Sequence, residues 1–179
     1  MPSAVTRHLN SLEGLMDTAW ELFVHELRNM LNCENQLVRI LAEAETESSN
    51  ESLRRAFEEH RHQTENHAAR ITQVFRDIGE VPEQGECKGV EGLKQEKQEI
   101  MKHDPSKELV DFINCGAGIK AERYEISSYE NLILLARELG ALNSARLLKE
   151  NLNEEQEALE KLQNLTGMLK PKNLGVSTD

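Results

Sequence analysis

The chain has 179 residues, 38% hydrophobic, 4% aromatic and 30% charged, with a formal net charge of −11. That length suits one domain with a continuous core, and the excess of acid argues against gripping nucleic acid through its phosphates. Ten Gly and four Pro are too few turn signals for a sheet sandwich, so long helices are expected.

Residues 1–17 have weak periodicity and read as a tail or a short extra helix. Thr18 followed by Glu21 forms a capping box, in which each side chain bonds the other residue's backbone N–H, and it opens helix A. Helix A runs to about Glu45. Ser48 with Glu51 reads as a second capping box, so helix B returns antiparallel after a short turn and continues to about Ile78. Gly79 and Pro82 stop it. Residues 79–106 form a crossover, loosened by Gly79, Pro82, Gly85, Gly89 and Gly92, with a short fifth helix over about 91–103. Asp104-Pro105 then supplies an N-cap with Pro at the first helical position for helix C. Helix C ends near Leu139 with Gly140 beyond it. Asn143 is expected to cap helix D, which runs to about Gly167, and residues 170–179 read as a disordered tail.

Two short turns and one long crossover describe two antiparallel hairpins joined end to end, an all-α, ferritin-like four-helix bundle spanning 18–169. A weak internal repeat agrees: "LAEAETESSNESLRRAF" from Leu41 resembles "LARELGALNSARLL" from Leu135, with a shorter turn in the second copy.

Core positions of a bundle helix recur in alternating steps of three and four. On that rule helix A presents Phe23, Leu27, Met30, Glu34, Leu37 and Leu41. Helix B presents Leu53, Phe57, His60, Thr64, His67, Ile71, Val74 and Ile78. Helix C presents Gly118, Glu122, Glu125, Tyr129, Leu132 and Ala136, and helix D presents Ala145, Leu148, Leu152, Glu155, Leu159 and Leu162. Each stripe is apolar at its ends and polar in its middle, and none carries Lys or Arg. The polar residues stand about 15 residues, or about 22 Å, from their hairpin turns on all four helices. They should therefore meet in one layer.

Four carboxylates in a dry layer repel one another and are costly to desolvate. Two divalent cations remove the difficulty: carboxylates bridge them while imidazoles fill other positions. The mixed set Glu34, His60, His67, Glu122, Glu125 and Glu155 suits two iron ions, with manganese an alternative, and its lack of thiolates argues against structural zinc. His62 and Glu65 form a rival pair on helix B, and Glu150 and Glu154 compete with Glu155 on helix D. Tyr129 either fills core volume with its hydroxyl bonding a carboxylate, or has a supporting or redox role beside the metals. Cys33, Cys87 and Cys115 have no ligand-like spacing and are read as reduced thiols. No basic-then-apolar leader and no apolar run of membrane-spanning length occur, so a cytoplasmic protein is expected.

The blocks "CENQLVRILAEA" (33–44), "AFEEHRHQTENHAARITQVF" (56–75), "KAERYEISSYENL" (120–132) and "LLKENLNEEQEALEKL" (147–162), in this order and spacing, resemble the YciE/YciF-like family of bacterial stress-associated, ferritin-like proteins. The resemblance implies a ferritin-like fold with a crossover helix, a homodimer, and a di-metal centre. By position it falls on Glu34, His60, Thr64, His67, Glu122, Glu125, Glu150, Glu154 and Glu155. Family members often carry Glu where this chain has His62 or Gln63, which keeps the helix B ligand set open.

The expected function is a di-metal protein of stress response that handles iron and O2 or peroxide, with ferroxidase, peroxidase and catalase turnover all compatible. A non-catalytic dimerisation or docking module, using the polar layer for register alone, is the alternative.

Overall fold

A computed structural model describes residues 16–169. The tails expected over 1–17 and 170–179 fall outside it, apart from Met16, which is exposed, and Asp17. The described residues form five helices: α1 (Ala19–Glu47), α2 (Glu51–Asp77), α3 (Lys88–Met101), α4 (Lys107–Glu138) and α5 (Leu142–Met168). α1 packs on α2 and α4, and α5 packs on α4 and α2, while α3 leans against α1 and α4. This is the ferritin-like connectivity expected from the sequence, two hairpins joined by one crossover that carries a short helix. No described helix is long and apolar enough to cross a membrane.

Local chemistry explains where the helices begin and end. The Thr18–Glu21 capping box forms as expected. Gly79 and Gly140 adopt φ of 76° and 72°, the left-handed conformation that closes a helix and that side chains disfavour. Glu80 N–H then bonds Phe75 C=O (2.9 Å) and Ala141 N–H bonds Ala136 C=O (2.8 Å), satisfying the last carbonyls of α2 and α4. The two copies of the internal repeat are the two hairpin elbows, α1 into α2 and α4 into α5.

Three expected caps are corrected by the structure. Asn50, not Ser48, caps α2, its side chain accepting from Leu53 N–H. Ser48 closes α1 instead: its hydroxyl donates to Ala44 C=O (2.7 Å) and accepts from Asn114 of α4 (3.1 Å). Ser106 caps α4 in place of Asp104, which sits at φ 50°. Asn143 lies inside α5, bonding Asp77 and Arg146, and Ala141 holds the N-cap position with no side-chain cap. The crossover helix begins at Lys88 rather than near Glu91.

The elbow between α1 and α2 is held from a distant helix. Asp111 of α4 is buried, and its carboxylate accepts from Ser49 N–H (2.7 Å), the Ser49 hydroxyl (2.6 Å) and Asn50 N–H (3.1 Å). These three bonds replace the capping box that the local sequence suggests. The crossover is laced to α1 in the same manner. Gly85 N–H bonds Arg28 C=O at 2.9 Å, and a Cβ on Gly85 would lie 3.1 Å from Asn29 N and 3.2 Å from Arg28 C, so glycine eases this close approach. Asn32 Oδ1 accepts from Cys87 N–H at 3.0 Å.

Removing the elbow clamp takes the acceptor from three donors. Asp111→Ala should cost about 2–3 kcal/mol and lower the melting temperature by roughly 5–10 °C. Thermal unfolding by circular dichroism measures this, and a variant melting within about 1 °C of wild type would remove Asp111 from the account of the elbow.

Candidate metal centre

The sequence stripes place polar side chains in the middle of the bundle, and the fold brings them into one layer. All six expected residues are buried: Glu34, His67 and Glu155 are 0% exposed, and Glu122, Glu125 and His60 are 2%, 1% and 6% exposed. Five of them form two groups of three that share one residue. Glu34, His67 and Glu155 present ligand atoms within 4.8 Å of one another, and so do His60, Glu122 and Glu155. Glu155 supplies one carboxylate oxygen to each side. Its Oε1 lies 2.7 Å from His67 Nδ1, and its Oε2 lies 3.4 Å from His60 Nε2. Glu122 Oε1 is 3.1 Å from His60 Nε2, and Glu34 Oε2 is 3.6 Å from His67 Nδ1.

These close approaches are not well-formed hydrogen bonds. Glu34 Oε2, Glu122 Oε2, both oxygens of Glu155 and His67 Nδ1 are buried without a hydrogen-bond partner. Leaving even one buried polar atom unsatisfied costs about 1–3 kcal/mol. Five such atoms in one small volume, with lone pairs gathered on the space between them, are the donor set a cation would satisfy. The residues present therefore fit a pair of divalent ions, three ligand residues to each and one carboxylate between them.

Supporting contacts orient the ligand-like atoms. The second nitrogen of His67, Nε2, pairs with Glu154 Oε2 at 2.9 Å, which turns Nδ1 toward the centre. Arg70 donates to Glu154 Oε1 (2.7 Å) and to Asn151 Oδ1 (2.9 Å). Asn151 donates to the Tyr129 hydroxyl (2.8 Å) and to His67 C=O (3.3 Å), and Tyr129 donates to Glu34 Oε1. The ring of contacts thus returns to the ligand set from which it started. Thr64 is also buried, but its hydroxyl bonds His60 C=O (2.9 Å) and offers the centre nothing.

Electrostatics follow from the burial. Desolvation raises the Glu34 carboxyl above its usual range, and it pushes Glu122 and Glu155 up to about 7. Glu125 rises well above the usual range from the same cause, reinforced by Glu155, Glu34 and Glu122. Burial alone would lower His67, but Glu155 and Glu34 overcome it and hold the imidazole up to about 11. In the absence of a cation, protons neutralise the layer.

The alternatives on helices B and D separate cleanly. His62 and Glu65 are exposed and pair with each other at 3.3 Å outside the bundle. Glu155 enters the centre, Glu154 supports His67, and Glu150 stays at the rim beside Arg70 and Arg146. Glu125 belongs to the buried layer but to neither group of three; its Oε1 faces the Cys33 thiol at 4.0 Å. The stripes missed Arg70 and Asn151. Asn151 stands three residues after Leu148 and four before Glu155, a core spacing the sequence did display.

Residues 18–174 match the model of a family described as a domain of unknown function, DUF892. Protein YciF of Escherichia coli strain K12 is 37% identical over 142 residues, covering 79% of this chain and 86% of its own. The crystal structure of the Escherichia coli stress protein YciF superposes with a TM-score of 0.81 at 34% identity, covering 90% of this chain and 100% of that one. YcfI of Rhodopseudomonas palustris, described as a candidate structural protein, gives 0.82 at 30% identity over 86% of this chain and 98% of its own. On these matches the chain belongs to the DUF892 family, the family of the stress protein YciF.

Proposed function

We propose that this protein is a di-metal carboxylate protein, with iron as the expected metal, that acts on dioxygen or peroxide in a cytoplasmic stress response. The observation that carries the reading is Glu155, which offers one unpartnered oxygen to each of two buried Glu–His groups. A register device has no need of unsatisfied atoms; its polar groups would bond one another. Manganese fits the same donors. The relative described as an Escherichia coli stress protein supports the physiological setting.

Glu34 and His67 would hold one ion, Glu122 and His60 the other, and Glu155 both. A bound pair of this kind would supply redox chemistry toward a small oxidant. The chain's own residues do the remaining work. Tyr129 and Asn151 fix Glu34, and Glu154 with Arg70 fixes the His67 ring, so that neither side chain turns away. Leu37, Ile40 and Ala121 give the approach to the centre an apolar lining. A cavity of about 40 Å³ runs between α1, α3 and α4 to His60, Glu122 and Glu125. It admits molecules on the scale of one or a few waters, which favours dioxygen or peroxide over any organic substrate.

Shared and unshared ligands predict unequal losses. Reconstituted anaerobically with ferrous iron, the wild type should bind about two ions per chain. Glu155→Ala should bind well under one, because it strips both groups. Glu34→Ala and Glu122→Ala should each retain about one. Metal analysis after gel filtration reads this, and equal retention in all three variants would show that Glu155 is not shared. Glu154→Gln should leave stoichiometry intact and weaken affinity about 10–100-fold through His67.

Protons compete with metal in this layer. Glu122 and Glu155, held near 7, and His67, held near 11, must give up protons to bind an ion. Affinity should therefore rise more than about tenfold from pH 6 to pH 8, with proton release seen by pH-stat. The metal-free fold binds protons that the unfolded chain does not, beginning above the ordinary carboxylate range, so its stability should fall as pH rises from 5 to 8. The metal-loaded protein should lose much less. A metal-free melting temperature that climbs over that interval would contradict the assignment of raised carboxyls.

A further inference from the structure

Cys33 and Cys87 are far apart in sequence, one on α1 and one at the start of the crossover helix, yet the fold buries both in one core cluster as free cysteines. The placement is enforced by the backbone around it. Cys87 N–H bonds Asn32 Oδ1 at 3.0 Å, and Gln36 Nε2 bonds Cys87 C=O at 3.4 Å, so residues on either side of Cys33 pin Cys87 above it. Cys87 is also the N-cap residue of α3, a helix of 14 residues. Its sulfur lies 3.5 Å from the Tyr124 hydroxyl. The other cysteine, Cys115, sits apart in a second core cluster with Phe57 and Leu162.

We propose that Cys33 and Cys87 form a peroxide-oxidisable dithiol whose disulfide fastens the start of α3 to α1. Cys87 is the attacking sulfur. The Cys33 thiol bonded to it, aided by Tyr124 and the helix N-terminus, outweighs burial and lowers Cys87 to about 6. Cys33, fully buried in the same cluster, is the resolving sulfur. The Cys87 thiolate attacks hydrogen peroxide, an S–O bond forming as the O–O bond breaks, and hydroxide leaves. The Cys33 sulfur then attacks the Cys87 sulfenic acid, whose oxygen leaves as water with the Cys33 proton. Two thiols lose two electrons, and one peroxide becomes two waters.

The pair adjoins the metal layer without belonging to it. Cys33 Sγ lies 4.0 Å from Glu125 Oε1, and one S–H can serve either Glu125 or Cys87. Once the disulfide forms, Glu125 loses that donor and Tyr124 loses a thiolate acceptor. Glu125 and Val90 both line the small cavity, which brings a molecule the size of peroxide to the neighbourhood of both sulfurs.

The proposal does not rest on metal binding, and a chelating buffer keeps the two questions separate. The full-length protein in chelator is treated with a few equivalents of hydrogen peroxide, quenched, denatured and alkylated. Peptide mass mapping should find Cys33 linked to Cys87 within one chain and Cys115 alkylated. Oxidation should raise the melting temperature by roughly 5–10 °C, reversed by dithiothreitol. Cys87→Ser should slow thiol loss at least about tenfold. Cys33→Ser should instead stop at a sulfenic acid on Cys87 that dimedone captures. Three alkylatable thiols in the oxidised wild type, or linkage through Cys115 or between chains, would overturn the assignment.

Discussion

The structure depends on placing carboxylates where water cannot reach them. Glu34, Glu122, Glu125 and Glu155 lie side by side at the middle of the bundle, each at most 2% exposed, and the desolvation they suffer exceeds anything a hydrogen bond to a neighbour restores. Everything near them can be understood as an answer to that cost. Two imidazoles face them, a tyrosine and an asparagine fix one of them, and an Arg–Glu pair on the bundle's shoulder steers His67. The apolar layers above and below, Leu27 and Val74 on one side and Leu41 and Phe57 on the other, keep the dielectric low. The same dryness makes any charge brought into the layer interact strongly.

The fold and the layer were readable because both depend on periodicity. Steps of three and four along α2 put His60 and His67 inward and His62 with Glu65 outward, and the structure agrees residue by residue. On α5 the same rule selected Glu155 from three acids. The caps were less legible because partners from other helices decide them. Ser48 followed by Glu51 is a sound local signal, but Asp111 takes the elbow's donors and Asn50 takes over the cap. Arg70 lies beside its stripe rather than on it, so spacing could not reveal that its guanidinium folds back to Glu154. The Cys33–Cys87 contact depends on the path of an irregular strap, and periodicity says nothing about such a path.

The crossover is therefore more than a connector. Its glycine-eased approach to α1 at Gly85, the Lys97–Glu47 and Lys94–Glu43 pairs, and the burial of Val90 against the core hold α3 over the flank of the bundle where the small cavity lies. A cover fixed this way forms one wall of the small cavity beside the layer. The position of the dithiol at the start of that cover would let an oxidant tighten it.

Each group of three draws on both hairpins: Glu34 and His67 come from the first and Glu155 from the second, while His60 faces Glu122 and Glu155 across the same seam. An ion held there is enclosed by four helices and cannot leave by the rotation of one side chain. Its departure would be slowed by the packing of both hairpins around it. Residence time would then be set by how often the protein breathes rather than by the strength of any single bond to the ion. A bound metal would then exchange slowly with the free metal outside.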